Sequence, residues 1–187
     1  ILAAGASIRA GASGFSAGQL MIGRVSFSGT SEQSFVTSGT SSVVLGPGLV
    51  ANGRMQISAP GINFNGGTYN DVVDASKTGS SNDGGGGNNT FNDSLILRQN
   101  GTGYIVLSNN TRDVYNGKVC VYSSASGIVY LAYEGTLTEF NDDVILSSTG
   151  NGNIRIGAGG GTSTLASGKQ LLTGADGFVN GYLTLSR

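Results

Sequence analysis

The acidic residues are where chemistry would have to sit, because the sequence contains no histidine and one cysteine, Cys120. A retaining glycosidase needs two carboxylates about 5 Å apart, one as nucleophile and one as acid/base. Asp71 and Asp93 occupy equivalent places in neighbouring copies of a short repeated unit, and stacking those copies as parallel strands would give roughly that separation. The third copy breaks the pair with Gly117, and no Trp is present to seat a sugar ring. Hard oxygen ligands for calcium cluster at Asn141 to Asp143 and in "SNDGGGGNN" at Ser81 to Asn89. Neither stretch has EF-hand spacing or the Gly-Gly-x-Gly-x-Asp nonapeptide. Gly84 to Gly87 lack the Lys-Ser/Thr of a phosphate loop. These stretches read as solvated turns and, at the glycine run, a flexible loop. Zinc sites and histidine-based triads lack their ligands, so the expectation is no metal, no cofactor and no catalytic centre.

What would position these residues is a repeat. The pairs Tyr69-Asn70, Phe91-Asn92, Tyr115-Asn116 and Phe140-Asn141 recur at nearly even spacing, and Asn52, after Ala51, is a weaker copy a slightly shorter step before Asn70. Length differences fall in polar stretches such as "SKTGSSNDGGGGNNT". After each mark the residues alternate, with Leu95/Leu97, Val119/Val121 and Val144/Leu146 in equivalent places, and a period of two means a strand. A second strand follows about ten residues later, where Ile105/Leu107, Val129/Leu131 and Ile154/Ile156 align and Val106, Tyr130 and Arg155 face the other way. Units of this size stack as coils, each residue resting on its equivalent one coil below. The expected fold is all-β: a parallel β-solenoid, of the right-handed β-helix kind, with coils of about 18–25 residues, continuous from 1 to 187.

Stacking gives the marks a structural meaning. Asn70, Asn92, Asn116 and Asn141 should form a corner ladder beside a stack of Phe91, Tyr115 and Phe140. Asn tolerates the left-handed region and can bond backbone groups that a turn removes from a sheet. The next column, Asp71, Asp93, Gly117 and Asp142, mixes Asp with Gly as a turn of positive φ would. On the outside, Ile96, Cys120 and Ile145 on one strand and Val106 and Tyr130 on the other make apolar columns, which form a contact stripe unless a loop or a neighbouring filament covers them. Cys120 reads as a small apolar member of that column rather than a nucleophile.

A longer period overlies the short one. Residues 165–187 repeat residues 2–24 without a gap at an offset of 163, with ten of 23 positions identical, so the chain spans about one super-repeat. The order of the aromatic-Asn marks, "GTSTLASGK" and "GADGFVNGYLTL" resembles the repeats of very large secreted surface proteins of Bacteroidota, including the SprB-type gliding-motility adhesins. The resemblance implies export by the type IX secretion system, a place on the extracellular cell surface, and an adhesive filament for attachment or gliding. It also implies partners: neighbouring repeats of the same chain, a solid surface or polysaccharide, and other surface or secretion proteins. Asp93-Ser94-Leu95 resembles the Bacteroidota acceptor for O-glycosylation, which makes Ser94 a candidate. The rival reading is a carbohydrate-active β-helix enzyme or a phage tail-spike-like polysaccharide-binding protein.

Composition narrows the field further. With 38% hydrophobic and 11% charged residues the chain can fill a core, and its 33 glycines follow no collagen period. A net charge of -1 without a Lys/Arg run leaves nothing to neutralise phosphates, so nucleic acid is not an expected partner. No apolar run approaches eighteen residues, so no membrane span is expected in this segment. The start at Ile1 suggests an excerpt of a longer protein.

Overall fold

The computed structural model describes residues 5–11, 14–135 and 137–186. Seven three-strand coils and a partial eighth account for all of its secondary structure. The first carries β1 (Arg9–Ala10), β2 (Gln19–Ile22) and β3 (Ser26–Phe27), and the second β4 (Gln33–Val36), β5 (Ser42–Leu45) and β6 (Val50–Ala51). In the third are β7 (Met55–Ala59), β8 (Gly61–Phe64) and β9 (Thr68–Tyr69), and in the fourth β10 (Val73–Lys77), β11 (Asp83–Gly84) and β12 (Thr90–Phe91). Next come β13 (Leu95–Gln99), β14 (Ile105–Val106) and β15 (Val114–Tyr115), then β16 (Val119–Ser123), β17 (Val129–Leu131) and β18 (Thr138–Phe140). The seventh coil holds β19 (Val144–Ser148), β20 (Ile154–Ile156) and β21 (Ser163–Leu165), and β22 (Leu171–Phe178) and β23 (Leu183–Leu185) begin the eighth. No helix among the described residues is long and apolar enough to cross a membrane.

Every strand pairs in parallel with a strand three places away along the chain, which makes the molecule a parallel β-solenoid with three faces. One face is an eight-stranded sheet from β1 to β22, and a second is a seven-stranded sheet from β3 to β21. The third face is divided into a three-stranded sheet, β2-β5-β8, and a five-stranded sheet, β11-β14-β17-β20-β23. Register follows the marks: Met55, Val73, Leu95, Val119 and Val144 pair in succession. The next step, from Val144 to Leu171, is longer than the expected coil. The extra length lies in the turn between Leu165 and Leu171.

The core is built as columns. Leu95, Leu97, Val119, Val121, Val144 and Leu146 are all buried, as are Ile105, Val129 and Ile154 across the interior. At the third inward position of the long strands the column turns polar: Lys77, Gln99, Ser123 and Ser148 stack above Ala59. They stand at a corner, where the chain leaves the sheet and its carbonyls lose their ladder partners. Gln99 donates to the Gly103 carbonyl, Ser148 to the Gly152 carbonyl at 2.7 Å, and Lys77 to the Pro60 carbonyl at 2.8 Å.

Lys77 also forms a buried ion pair with Asp83, 2.7 Å apart. The pair sits where the third face is interrupted between β8 and β11. There the Ile62 N–H has no strand to bond, and it donates to the Asp83 carboxylate at 2.9 Å instead. Asn65 and Asn89 serve the same break, accepting from the Gly86 N–H at 2.6 Å and from the Gly66 and Gly67 N–H groups at 2.9 and 3.0 Å. The stretch read from sequence as a solvated turn and a flexible glycine loop is therefore hydrogen-bonded to its neighbours, and buried at Asp83, Gly85, Gly87 and Asn89. Asp83 is buried, and a Cβ at Gly85 would lie 2.7 and 2.9 Å from the Phe64 and Val106 carbonyl oxygens. Glycine is needed there because two neighbouring coils close on the backbone.

The two copies at an offset of 163 lie at opposite ends of the solenoid, apart from the members of residues 2–24 and 165–187 outside the described residues. Phe15 and Phe178 are both half-buried, as are Leu20 and Leu183. Ile22 and Leu185 do not match: the first is 5% exposed and the second 61%. The coil of Ile22 continues into β3, which adds buried Phe27, whereas Leu185 lies at the rim of an open hollow of about 230 Å³ among Phe140, Val144, Ile156, Leu165 and Leu171.

Replacing Lys77 with Met should cost about 3 to 5 kcal/mol in urea denaturation, because the buried Asp83 carboxylate loses its counter-ion. The double variant Lys77→Met/Asp83→Asn should recover most of that loss, since an Asn oxygen still accepts from Ile62.

Candidate functional site

The corner before each long strand carries the repeated mark. Tyr69, Phe91, Tyr115 and Phe140 stack face to face, with ring centroids 4.8, 5.2 and 5.0 Å apart and planes within 14°. Phe27 begins this inward column and Ala51 follows it. Phe64 meets the column from the divided face, edge-on to Tyr69 and Phe91. Beside the rings runs a continuous amide ladder. Asn70 donates to Asn52, Asn92 to Asn70, Asn116 to Asn92 and Asn141 to Asn116, at 2.6, 2.6, 2.7 and 2.9 Å. Asn52 donates in turn to the Ser28 carbonyl at 3.1 Å.

The ladder's chemistry differs from the expected one. Asn70, Asn92, Asn116 and Asn141 are exposed, and their backbone N–H groups bond carbonyls of the previous coil, as Asn92 does with Tyr69 at 2.7 Å and Asn116 with Phe91 at 2.8 Å. Their side chains therefore pair with one another rather than rescuing buried peptide groups. None of these Asn residues, nor Asp71, Asp93, Gly117 or Asp142, has a positive φ. Asp71, Asp93 and Asp142 each accept from the following backbone N–H, at 2.6, 2.6 and 2.8 Å. The column is a turn cap in which each carboxylate is already engaged.

The second acidic cluster is committed as well. Asp142 is bonded by Lys169 at 2.6 Å, and Asp143 accepts from the Gln170 N–H at 3.0 Å. The Lys169 hydrogen bond holds the Asp142 carboxyl below the usual carboxylate range. Among the described residues no group of three His, Cys, Asp or Glu side chains could hold a metal ion.

One buried carboxylate escaped the sequence reading. Asp113 is fully buried and accepts from the Asn89 backbone and side chain at 2.8 and 2.9 Å and from Ser108 at 2.8 Å. Burial raises its carboxyl above the usual range against the pull of these donors. It stacks on Asn89 at the position just before the mark strands, so the corner is closed by Asn89 and Asp113 in sequence. Burial, and secondarily the Asp113 charge, also pushes the Tyr69 and Tyr115 phenols up. A polar residue one place ahead of Thr90 and Val114 was the available signal.

The outward columns lie on two different faces. Ile96, Cys120 and Ile145 pair in register on the eight-stranded sheet and are half-exposed, and Leu172, 38% exposed, extends them. Burial pushes the Cys120 thiol up against the pull of Tyr122, Lys118 and Arg98, which suits an apolar role. Val106 and Tyr130 pair on the five-stranded sheet. Val106, read as part of an exposed stripe, is only 5% exposed, because Tyr104, Tyr130 and Tyr133 wall it in. Ser94 is half-exposed beside the Asp93 cap.

Compared with known proteins, the chain matches no protein-family model, no curated protein and no solved structure. The class it belongs to is defined by its fold, a three-faced parallel β-solenoid whose coils carry a repeated corner.

The two halves of the corner should differ in their contribution to stability. Phe91→Ala should cost about 3 to 5 kcal/mol by opening the buried ring column, and Asn116→Leu only about 1 kcal/mol, because its ladder bonds are exposed. Equilibrium unfolding of the two variants would show the contrast.

Proposed function

We propose that this chain is a repeat segment of a secreted cell-surface filament, working by mechanics and contact rather than catalysis in attachment or gliding. The observation that carries the reading is the parallel stacking of coils in register, continuous on two faces. A solenoid of this kind extends by adding coils, each bonded only to its neighbours, and makes a stiff spacer. The resemblance to Bacteroidota surface adhesins supplies the extracellular location, type IX export, and partners among neighbouring repeats, surface or secretion proteins, and a solid surface or polysaccharide.

Contact is assigned to the half-exposed stripe of Ile96, Cys120, Ile145 and Leu172. Each apolar contact is weak, and many repeats held on one rod raise the total through avidity. A glycan on Ser94 would lie beside this stripe in the same coil. The role proposed for the Asp71 and Asp93 carboxylates is to cap turns, since each already accepts from its own next N–H.

The double variant Ile96→Ser/Ile145→Ser should keep its unfolding midpoint within a few degrees, because outward positions lie off the core. Beads coated with it should attach to glass under flow several-fold less than beads coated with the unaltered chain. Equal attachment by the folded variant would overturn the assignment of contact to this stripe.

A further inference from the structure

The recess on the five-stranded sheet has a construction of its own. The outward column there reads Gly84, Val106, Tyr130, Arg155 and Thr184. Gly84 leaves its rung empty: an added Cβ would meet only the Asn109 amide, at 3.7 Å. Tyr104, Tyr130, Tyr133, Val106 and Asn109 enclose the resulting space with Gly84, a volume of about 170 Å³. The rings brace one another edge to face, Tyr104 on Tyr130 at 5.8 Å and 82°, Tyr130 on Tyr133 at 5.0 Å and 71°. Such contacts hold the walls at steep angles before any ligand arrives.

The polar groups around the recess are uncommitted. Among the described residues, no protein group bonds the hydroxyls of Tyr104, Tyr130 and Tyr133 or the side-chain amide of Asn109, and all four residues are half-exposed. A phenol and an amide can each donate and accept. Ring faces alternating with free donors and acceptors suit a ligand that has apolar C–H faces and a rim of hydroxyls, which describes a pyranose. A cation fits less well. Arg155 already stands 5.7 Å from the Tyr130 centroid and would repel it, and no carboxylate lines the space. An anion finds one Arg155 amino group donating to the Tyr182 hydroxyl at 3.0 Å, the guanidinium over the Tyr182 ring at 5.8 Å, and Nε buried out of reach.

We propose that the recess walled by Tyr104, Tyr130, Tyr133 and Asn109 binds one ring of a neutral saccharide. The proposal rests on the adhesive reading above, to which it adds a ligand class at a second place, on a different face from the Ile96 stripe. Gly84 is the specificity element: it keeps open the rung that a side chain would otherwise fill, so that the ring can enter among the tyrosines. Binding at one recess is weak, and a polymer of recesses on one rod would hold a polysaccharide through avidity.

Affinity electrophoresis tests this with the chain as it stands, in native gels cast with laminarin, dextran, xylan or galactomannan, and with alginate as an acidic comparison. At least one neutral polysaccharide should retard the chain. Gly84→Val fills the recess without altering a tyrosine and suits a strand, so it should abolish the retardation. Asn109→Ala should reduce it several-fold, and Tyr122→Ala, on the other sheet, should leave it unchanged. Unfolding midpoints of the variants identify any that fail to fold. No retardation in any neutral gel, retardation in alginate alone, or equal retardation of folded Gly84→Val would overturn the proposal. A chain retarded by a neutral polysaccharide but failing to attach beads to glass would retain this site and refute attachment to bare surfaces, and the reverse pair of results would do the opposite.

Discussion

In-register parallel stacking is the constraint from which the rest of this molecule follows. A residue on any face sits one strand spacing from its equivalents above and below, about 4.8 Å, so each inward place must hold side chains that tolerate one another as a column. That condition produces the aliphatic runs Leu95-Val119-Val144 and Ile105-Val129-Ile154. It also produces the ring stack from Tyr69 to Phe140, whose centroid separations match the coil spacing. Outside, the same spacing brings each Asn amide within bonding distance of the next. One geometric fact thus generates both the apolar core and its polar seam.

Corners and breaks are where this constraint conflicts with backbone hydrogen bonding, and the chain resolves the conflict with buried polar side chains. Lys77, Gln99 and Ser148 turn inward to meet carbonyls of the turns that close their corner. Where β8 and β11 fail to pair, Asp83, Asn65 and Asn89 accept from N–H groups that a strand would otherwise have taken. A buried backbone donor left without a partner is costly, and an ion pair beside it needs good geometry to be tolerated. The same break leaves Gly84 at the start of the five-stranded sheet, and its missing side chain opens the tyrosine recess formed with the next two coils.

The fold was legible in the sequence because its period is carried by large, repeated side chains. The aromatic-Asn pairs at 69, 91, 115 and 140 and the alternation after them mark strands that the structure places in one register. Phe27 belongs to the same column but escaped notice, since Ser28 stands where the others have Asn and its backbone carbonyl does the accepting. Asp83 looked solvated because charge usually means surface, Lys77 fell in a polar stretch read as absorbing length, and their burial depends on an interrupted face that no local pattern announces. The role of the Asn ladder was misread for a related reason: whether an amide meets backbone or another amide depends on the spacing between coils. Tyr104 and Tyr133 lie in turns outside the alternation, so only the stacking of coils brings them to Tyr130.

Since Leu95 and Val119 are register partners on successive coils, residues 95–118 are one complete coil, and removing them joins Ser94 to Val119 with every column preserved. The most direct test of coil stacking as the organising interaction is the thermal unfolding of that deletion, followed by circular dichroism, beside a deletion of residues 95–106 alone. The whole-coil deletion should keep a β-sheet spectrum and a single cooperative transition, and the half-coil deletion should lose both. If the two deletions behaved alike, the coil would not be the unit on which this structure is built.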